Sequence, residues 1–199
     1  MAEQGTQEWL EMRRGKLTAS RMSDAMAKPE TAARKNYIAQ LVAERLTGMI
    51  APSFQNEAMA HGTEYEPIAR AEYEILTGSD VDTIDFVDHP SLEWCGASPD
   101  GLLLDLGLIE IKCPNTATHI DYLLGQKPPA KYVPQMALQL ICTGRKWVDF
   151  VSFDPRMPAK HRLFVVRYEP TDLEKYNESA ALFLDDVAET IERLEKVAA

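Results

Sequence analysis

Little in this chain of 199 residues suits a disulfide-stapled scaffold or a membrane. Cysteine is scarce: Cys95, Cys113 and Cys142 are odd in number and widely spaced. No CxxC pair occurs, so neither a disulfide framework nor a thiolate zinc site is indicated, and free thiols suit a reducing, cytoplasmic setting. No apolar run approaches the roughly 18 residues of a membrane span. The opening residues, MAEQGTQEWLEMRRGK, hold no apolar stretch behind a basic start, which a secretory signal needs. Internal repeats, low-complexity tracts and linkers are missing too. The four histidines, His61, His89, His119 and His161, show no metal-ligand spacing and are expected at surface or loop positions. What remains is an ordinary globular composition, 45% hydrophobic and 26% charged, of a length that suits one domain over 1–199.

Positive charge is short as well, with a net of −10, but its distribution is uneven. Residues 1–48 carry 8 basic and 6 acidic side chains, and residues 111–167 carry 9 and 3. Residues 49–110 carry 1 and 13, and residues 168–199 carry 3 and 9. Two basic segments can grip phosphates despite the negative total. An acidic centre is what a hard divalent cation needs. Simple surface patchiness gives the same profile, so charge alone decides nothing.

Periodicity predicts helices over Gln7–Arg14, Thr18–Lys28, Ala32–Thr47, Asn56–Leu76, Ala130–Cys142 and Thr171–Val197. The fourth contains Gly62 and Pro67, so a break is expected there. Strands are predicted over Val81–Val87, Glu93–Ser98, Gly101–Leu104, Leu108–Lys112, Lys146–Phe153 and Arg162–Tyr168. Asp105-Leu106-Gly107 reads as a hairpin turn. The order predicts an α/β fold, a central mixed β-sheet flanked by helices. Trp9, Trp147 and Phe150 are expected in the core.

The informative stretch is Ser98-Pro99-Asp100-Gly101, followed by Glu110-Ile111-Lys112-Cys113. Glu110 and Lys112 are two apart in a strand and face one side, while Ile109 and Ile111 face the other and can enter the core. With the turn near Leu106, Asp100 is expected opposite Lys112. Two carboxylates and an ammonium then share one face of one hairpin. Carboxylates in that arrangement can hold one or two Mg²⁺ ions over a phosphodiester, and the lysine can orient or deprotonate the attacking water or stabilise the phosphate. An Asp100 turn cap beside an exposed Glu110–Lys112 ion pair has the same pattern, so the residues alone leave both readings open. Cys113 reads as a small buried hydrophobe.

These residues resemble the PD-(D/E)xK nuclease motif, and four further stretches resemble one branch, the phage lambda exonuclease or YqaJ-like viral recombinase family. Trp9-Leu10-Glu11-Met12-Arg13-Arg14-Gly15-Lys16-Leu17-Thr18-Ala19-Ser20 is similar to its N-terminal signature, and Gly62-Thr63-Glu64-Tyr65-Glu66-Pro67-Ile68-Ala69 to its acidic helix. Tyr132-Val133-Pro134-Gln135 is similar to its helix glutamine, and Phe153-Asp154-Pro155-Arg156-Met157 to a late strand-end motif. The resemblance implies a PD-(D/E)xK (restriction-endonuclease-like) core. It implies that Asp100 and Glu110 are metal ligands with the Ile111 carbonyl as a third, and that Glu66 lies near a second metal, directly or through water. Lys112 is then the catalytic lysine and Gln135 positions it or the water. Arg13 binds the 5′-phosphate, with Ser98 helping. It further implies Mg²⁺, as two ions that Mn²⁺ can replace, and processive 5′-to-3′ digestion of linear duplex DNA to mononucleotides. A ring-shaped homotrimer, a single-strand annealing partner and a phage or prophage origin in a bacterial host are also implied. Two departures stand out. Residues 29–36 look shorter than the expected basic loop, and the Q-x(3)-Y pattern of related nucleases reads Gln135 to Gln139 here.

Overall fold

The structure, a computed structural model, describes residues 5–51 and 57–198. Helix α1 (Gln7–Arg13) starts at Thr6, whose side chain accepts from the Trp9 amide. Strand β1 (Leu17–Thr18) then leads through a tight 3-10 turn, Ala19–Arg21, into α2 (Met22–Ala25). Helix α3 (Ala32–Thr47) ends at Gly48, whose φ of 67° is the left-handed stop a glycine supplies most easily. Helix α4 is Glu57–Thr77. It continues through Gly62 and Pro67, so the expected break does not occur. Ala69 and Tyr73, both buried, pack the helix beyond the proline onto a sheet, and that packing outweighs local propensity. The expected start at Asn56 lies outside the described residues.

The strands form two sheets. A small one has the order β1-β3-β2, from β2 (Val87–Asp88) and β3 (Cys95–Ala97). The other is mixed, with the order β4-β5-β6-β7. It comprises β4 (Gly101–Leu103), β5 (Gly107–Lys112), β6 (Trp147–Phe153) and β7 (Leu163–Tyr168). Of the expected Val81–Val87 strand only Val87 enters a ladder, while Asp82 forms an isolated bridge with Leu102. The pair β5·β6 is parallel and needs a long crossover, made by α5 (Thr116–Gly125) and α6 (Val133–Thr143). Helix α5 is not expected from periodicity, although Asn115 caps it by accepting from the Thr118 amide at 2.9 Å.

The sheet is covered on both faces. Ala69 and Tyr73 of α4 meet Ile109, Ile111, Val151 and Phe153 on one. Tyr122 of α5 and Met136 and Leu140 of α6 meet Leu108, Val148 and Phe150 on the other. Helix α7 (Glu174–Ala198) lays Tyr176, Ala180, Phe183 and Val187 into the core it shares with α3, α6 and α2, with Phe183 stacked on Tyr37 at 5.2 Å. Among the described residues no helix is long and apolar enough to cross a membrane. Of the histidines expected at surface or loop positions, His89 does lie in a loop but is buried there, and His119 lies buried in a helix. His89 is 7% exposed and accepts through Nδ1 from the Ser91 and Leu92 amides. His119 on α5 is fully enclosed. Its Nε2 faces the His161 carbonyl at 2.8 Å and so carries the proton, leaving Nδ1 to accept from Ser152 at 2.7 Å.

Candidate active site

The β4–β5 hairpin closes tightly, with Leu103 opposite Gly107 and Gly101 opposite Ile109. The turn is therefore centred on Asp105, one residue earlier than expected, and a shift of one in the centre moves the register by two. Continued by one pair, Asp100 lies beside Glu110 instead of opposite Lys112. Leu104, at φ 49°, takes the left-handed conformation that this turn requires. Gly107 has no room for a side chain, since a Cβ there would sit 2.1 Å from the Trp147 ring.

Glu110 is fully buried on β5 with its carboxylate gripped from α6. Gln135 Nε2 donates to Oε1 and Gln139 Nε2 to Oε2, both at 2.6 Å. Lys112 Nζ pairs with the same Oε1 and lies 5.3 Å from the Tyr132 ring centre. Asp100 Oδ2 accepts from the Ile111 amide at 2.6 Å, which draws its carboxylate over the β5 edge. Glu66 reaches the group from α4, paired with Arg70 at 3.5 Å.

Electrostatics tie these residues together. Burial pushes the Asp100 carboxyl well above the usual range, and the charges of Glu110 and Glu66 push it further while Lys112 opposes them. Burial raises Glu66 too, against Arg70 and Lys112 and with help from Glu110. Burial would lower Lys112, but Glu110 and Asp100 win and hold it as an ammonium. Burial keeps the Cys113 thiol up at about 12, in line with a packed hydrophobe.

Crowded carboxylates of this kind are what a divalent cation would relieve. Among the described residues no three His, Cys, Asp or Glu side chains form a complete metal cage. A cation resting on Asp100 and Glu110 would complete its shell with backbone and water oxygens, which fits Mg²⁺ better than a thiolate- or imidazole-loving metal.

A second group joins the first from the N-terminal side. Trp9 Nε1 donates to Ser98 Oγ at 3.0 Å, two residues before Asp100. The Arg13 guanidinium lies 3.9 Å from the Trp9 ring centre, with Nη2 3.4 Å from both Thr18 Oγ1 and Ser20 Oγ. Burial lowers Arg13 to about 10, and it forms no ion pair with the described residues. A half-buried guanidinium beside two hydroxyls, with Glu44 acting on it through charge and no carboxylate ion-paired to it among the described residues, can seat an anion. Trp9 is half-buried and carries this seat instead of lying in the core, whereas Trp147, half-buried, packs against the core with the Arg167 guanidinium 3.6 Å from its ring centre.

The structure thus brings Asp100, Glu110, Lys112, Gln135 and Glu66 together and sets Arg13 and Ser98 beside them. Sequence reasoning missed Gln139, Thr18, Ser20 and Trp9. The only signal for Gln139 was its place in the Q-x(3)-Y pattern, where it looked like a loss.

A family profile for the YqaJ-like viral recombinase domain matches residues 8–146. An alkaline exonuclease (LHK-Exo) from Laribacter hongkongensis is 46% identical, with a TM-score of 0.91, over 97% of this chain and 98% of that one. The same figures hold for its complex with dAMP. A phage related exonuclease from Haemophilus somnus 129PT is 15% identical, with a TM-score of 0.71, over 96% of this chain and 99% of that one, a likeness of fold alone. No curated protein matches the chain.

Proposed function

The chain belongs to the YqaJ-like viral recombinase family, and on that premise we propose that it is a Mg²⁺-dependent exonuclease digesting one strand of linear double-stranded DNA from 5′ to 3′. The reading is supported by the 46% identical alkaline exonuclease and its dAMP complex. The observation that carries it is the junction of two sites. Arg13 stacks on Trp9, Trp9 holds Ser98, and Ser98 is two residues from Asp100. A seat for a terminal phosphate beside the acidic cluster is what removal of one nucleotide at a time requires.

In this reading Asp100, Glu110 and the Ile111 carbonyl hold the metal, and Glu66 reaches a second ion directly or through water. Bound there, Mg²⁺, or Mn²⁺ in its place, lowers the pKa of a water and neutralises charge on the attacked phosphate. Gln135 and Lys112 occupy Glu110 Oε1 and Gln139 holds Oε2, whose second lone pair would be open to a cation. Lys112, kept charged by Glu110 and Asp100, suits donation to the attacked phosphate or the water more than removal of a proton. Arg13, helped by Ser98, Thr18 and Ser20, binds the 5′-phosphate of the strand being digested. Family membership supports a homotrimeric ring, processive release of mononucleotides, 3′ single-stranded overhangs and transfer of these to an annealing protein of phage type.

The test is digestion of linear duplex with one strand 5′-phosphorylated and labelled, in Mg²⁺ and in EDTA, beside a closed circle. The expected result is Mg²⁺-dependent loss of the phosphorylated strand with the circle untouched. A cut circle would indicate a PD-(D/E)xK endonuclease, and binding without cleavage a silent end-binding protein. Arg13→Ala is expected to slow digestion of 5′-phosphorylated ends about 10- to 100-fold, the scale of a lost charged hydrogen bond, and to spare 5′-hydroxyl ends. Equal losses on both ends would remove Arg13 from that role.

A further inference from the structure

The Asp154-Pro155-Arg156 stretch at the end of β6 has no part in the function above. We propose that Arg156 is a phosphate-binding residue that grips a DNA backbone phosphate flanking the Asp100–Glu110–Lys112 cluster. The inference rests on the nuclease reading and extends it to how the duplex is held.

The geometry is that of a guanidinium fixed on one side and open on the other. Arg156 Nε donates to Asp154 Oδ1 at 2.6 Å, and the Arg156 amide donates to the same oxygen at 3.0 Å. Nη2 donates to the Pro114 carbonyl at 3.0 Å. Asp154 is fully buried, so the anchor does not move with solvent. Nη1 has no partner among the described residues, and the Arg156 side chain is 50% exposed. Half of a forked donor set is thus immobilised and the other half faces water, which lowers the entropy lost when an anion docks.

Position supplies the ligand. Pro114 lies two residues beyond Lys112, and Cys113 between them feels the charges of Glu66, Asp100, Lys112 and Asp154 together. Arg156 therefore stands at the same C-terminal edge of β5 and β6 as the acidic cluster. Residues 111–167, which include it, carry 9 basic and 3 acidic side chains. An anion approaching this edge while the cluster engages one phosphodiester is the neighbouring phosphate of the same polymer.

A staple between the ends of β5 and β6 would use the anchored half alone, so the experiment separates the two roles. Binding of fluorescent linear duplex is measured in EDTA over a salt series. Arg156→Gln is expected to weaken binding about tenfold near 0.1 M salt and to flatten the slope of log K against log salt by about 0.9, the value for one phosphate. Arg156→Lys, which keeps a charge but not the fork, is expected to retain the wild-type slope. An unchanged slope in the Gln variant, or an equal loss in the Lys variant, overturns the proposal. Should Arg156→Gln not fold, Arg156→Met, which keeps much of the stem, is judged by the same slope. Wild-type protein that neither binds nor cuts linear duplex would sink the nuclease reading, whereas a cutting wild type with an unaltered Gln slope sinks only this inference.

Discussion

At the scale of single residues, the acidic pair stores a conflict. Asp100 and Glu110 lie side by side, and Glu110 has two amides and an ammonium to steady it whereas Asp100 has one backbone amide. The burden of ionising in a buried place falls on Asp100. Stability and activity are therefore expected to part company at this position. Asp100→Asn keeps an acceptor for the Ile111 amide and removes the repulsion. In EDTA it should melt about 2–4 °C above wild type, equivalent to about 1 kcal/mol for a chain of this size. Its cleavage rate should fall at least about a hundred- to thousandfold. Added Mg²⁺ should raise the melting temperature of wild type and leave the Asn variant unmoved, by linkage to a bound ligand. A variant that melts lower than wild type in EDTA would show that repulsion is not the dominant force. Glu110 and Lys112 could be read from the sequence because strand alternation puts them on one face, and Asp100 through its resemblance to the PD-(D/E)xK motif. Gln139 could not, because its role depends on which face of α6 meets β5.

At the scale of elements, the working edge of the sheet depends on how the ends of β5, β6 and α5 are joined. Asp154 is the joint. Burial would raise its carboxyl, yet hydrogen bonds from Arg156 and Thr116 prevail and hold it below the usual carboxylate range. A carboxylate lowered on folding adds stability that is present above its unfolded value and is lost as pH falls through the folded one. Asp154→Asn is thus expected to be less stable by about 1–2 kcal/mol at neutral pH. The deficit should shrink as the pH drops below about 4, where the wild-type carboxylate also takes up a proton. Denaturant titrations at a series of pH values read this directly, and a deficit independent of pH would assign the effect to packing. The hairpin and α4 teach a related lesson. Alternation located β4 and β5 but misjudged the turn centre by one residue, because Leu104 accepts a left-handed conformation that composition does not announce. Pro67 suggested a break that does not occur, since Ala69 and Tyr73 are held by the sheet.

At the scale of the whole molecule, charge and exposed apolar surface are the features to explain. Large apolar side chains stand in water at Met49 (68% exposed), Ile75 (82%), Leu76 (65%) and Leu182 (63%), on a chain of net charge −10. The proposed ring would give such surface a partner. Light scattering at micromolar protein is expected to return three times the 22.3 kDa chain mass. A monomer or dimer at that concentration would remove the ring from the proposal and with it the simplest route to processive digestion.

The sequence by itself determined the periodic elements, the α/β class, the acidic block between basic segments and the shared strand face of Glu110 and Lys112. Each of these follows from spacing along one chain, and spacing survives whatever the chain packs against. Tertiary structure decided the rest. It set Asp100 beside Glu110 through the turn centre, turned Gln139 from an apparent loss into a second grip on Glu110, buried His119 of α5 against β6 and joined Arg13 to Ser98 through Trp9. These are contacts between residues distant in sequence or on opposed faces. Their partners are chosen by the burial of neighbouring side chains, which no local pattern records.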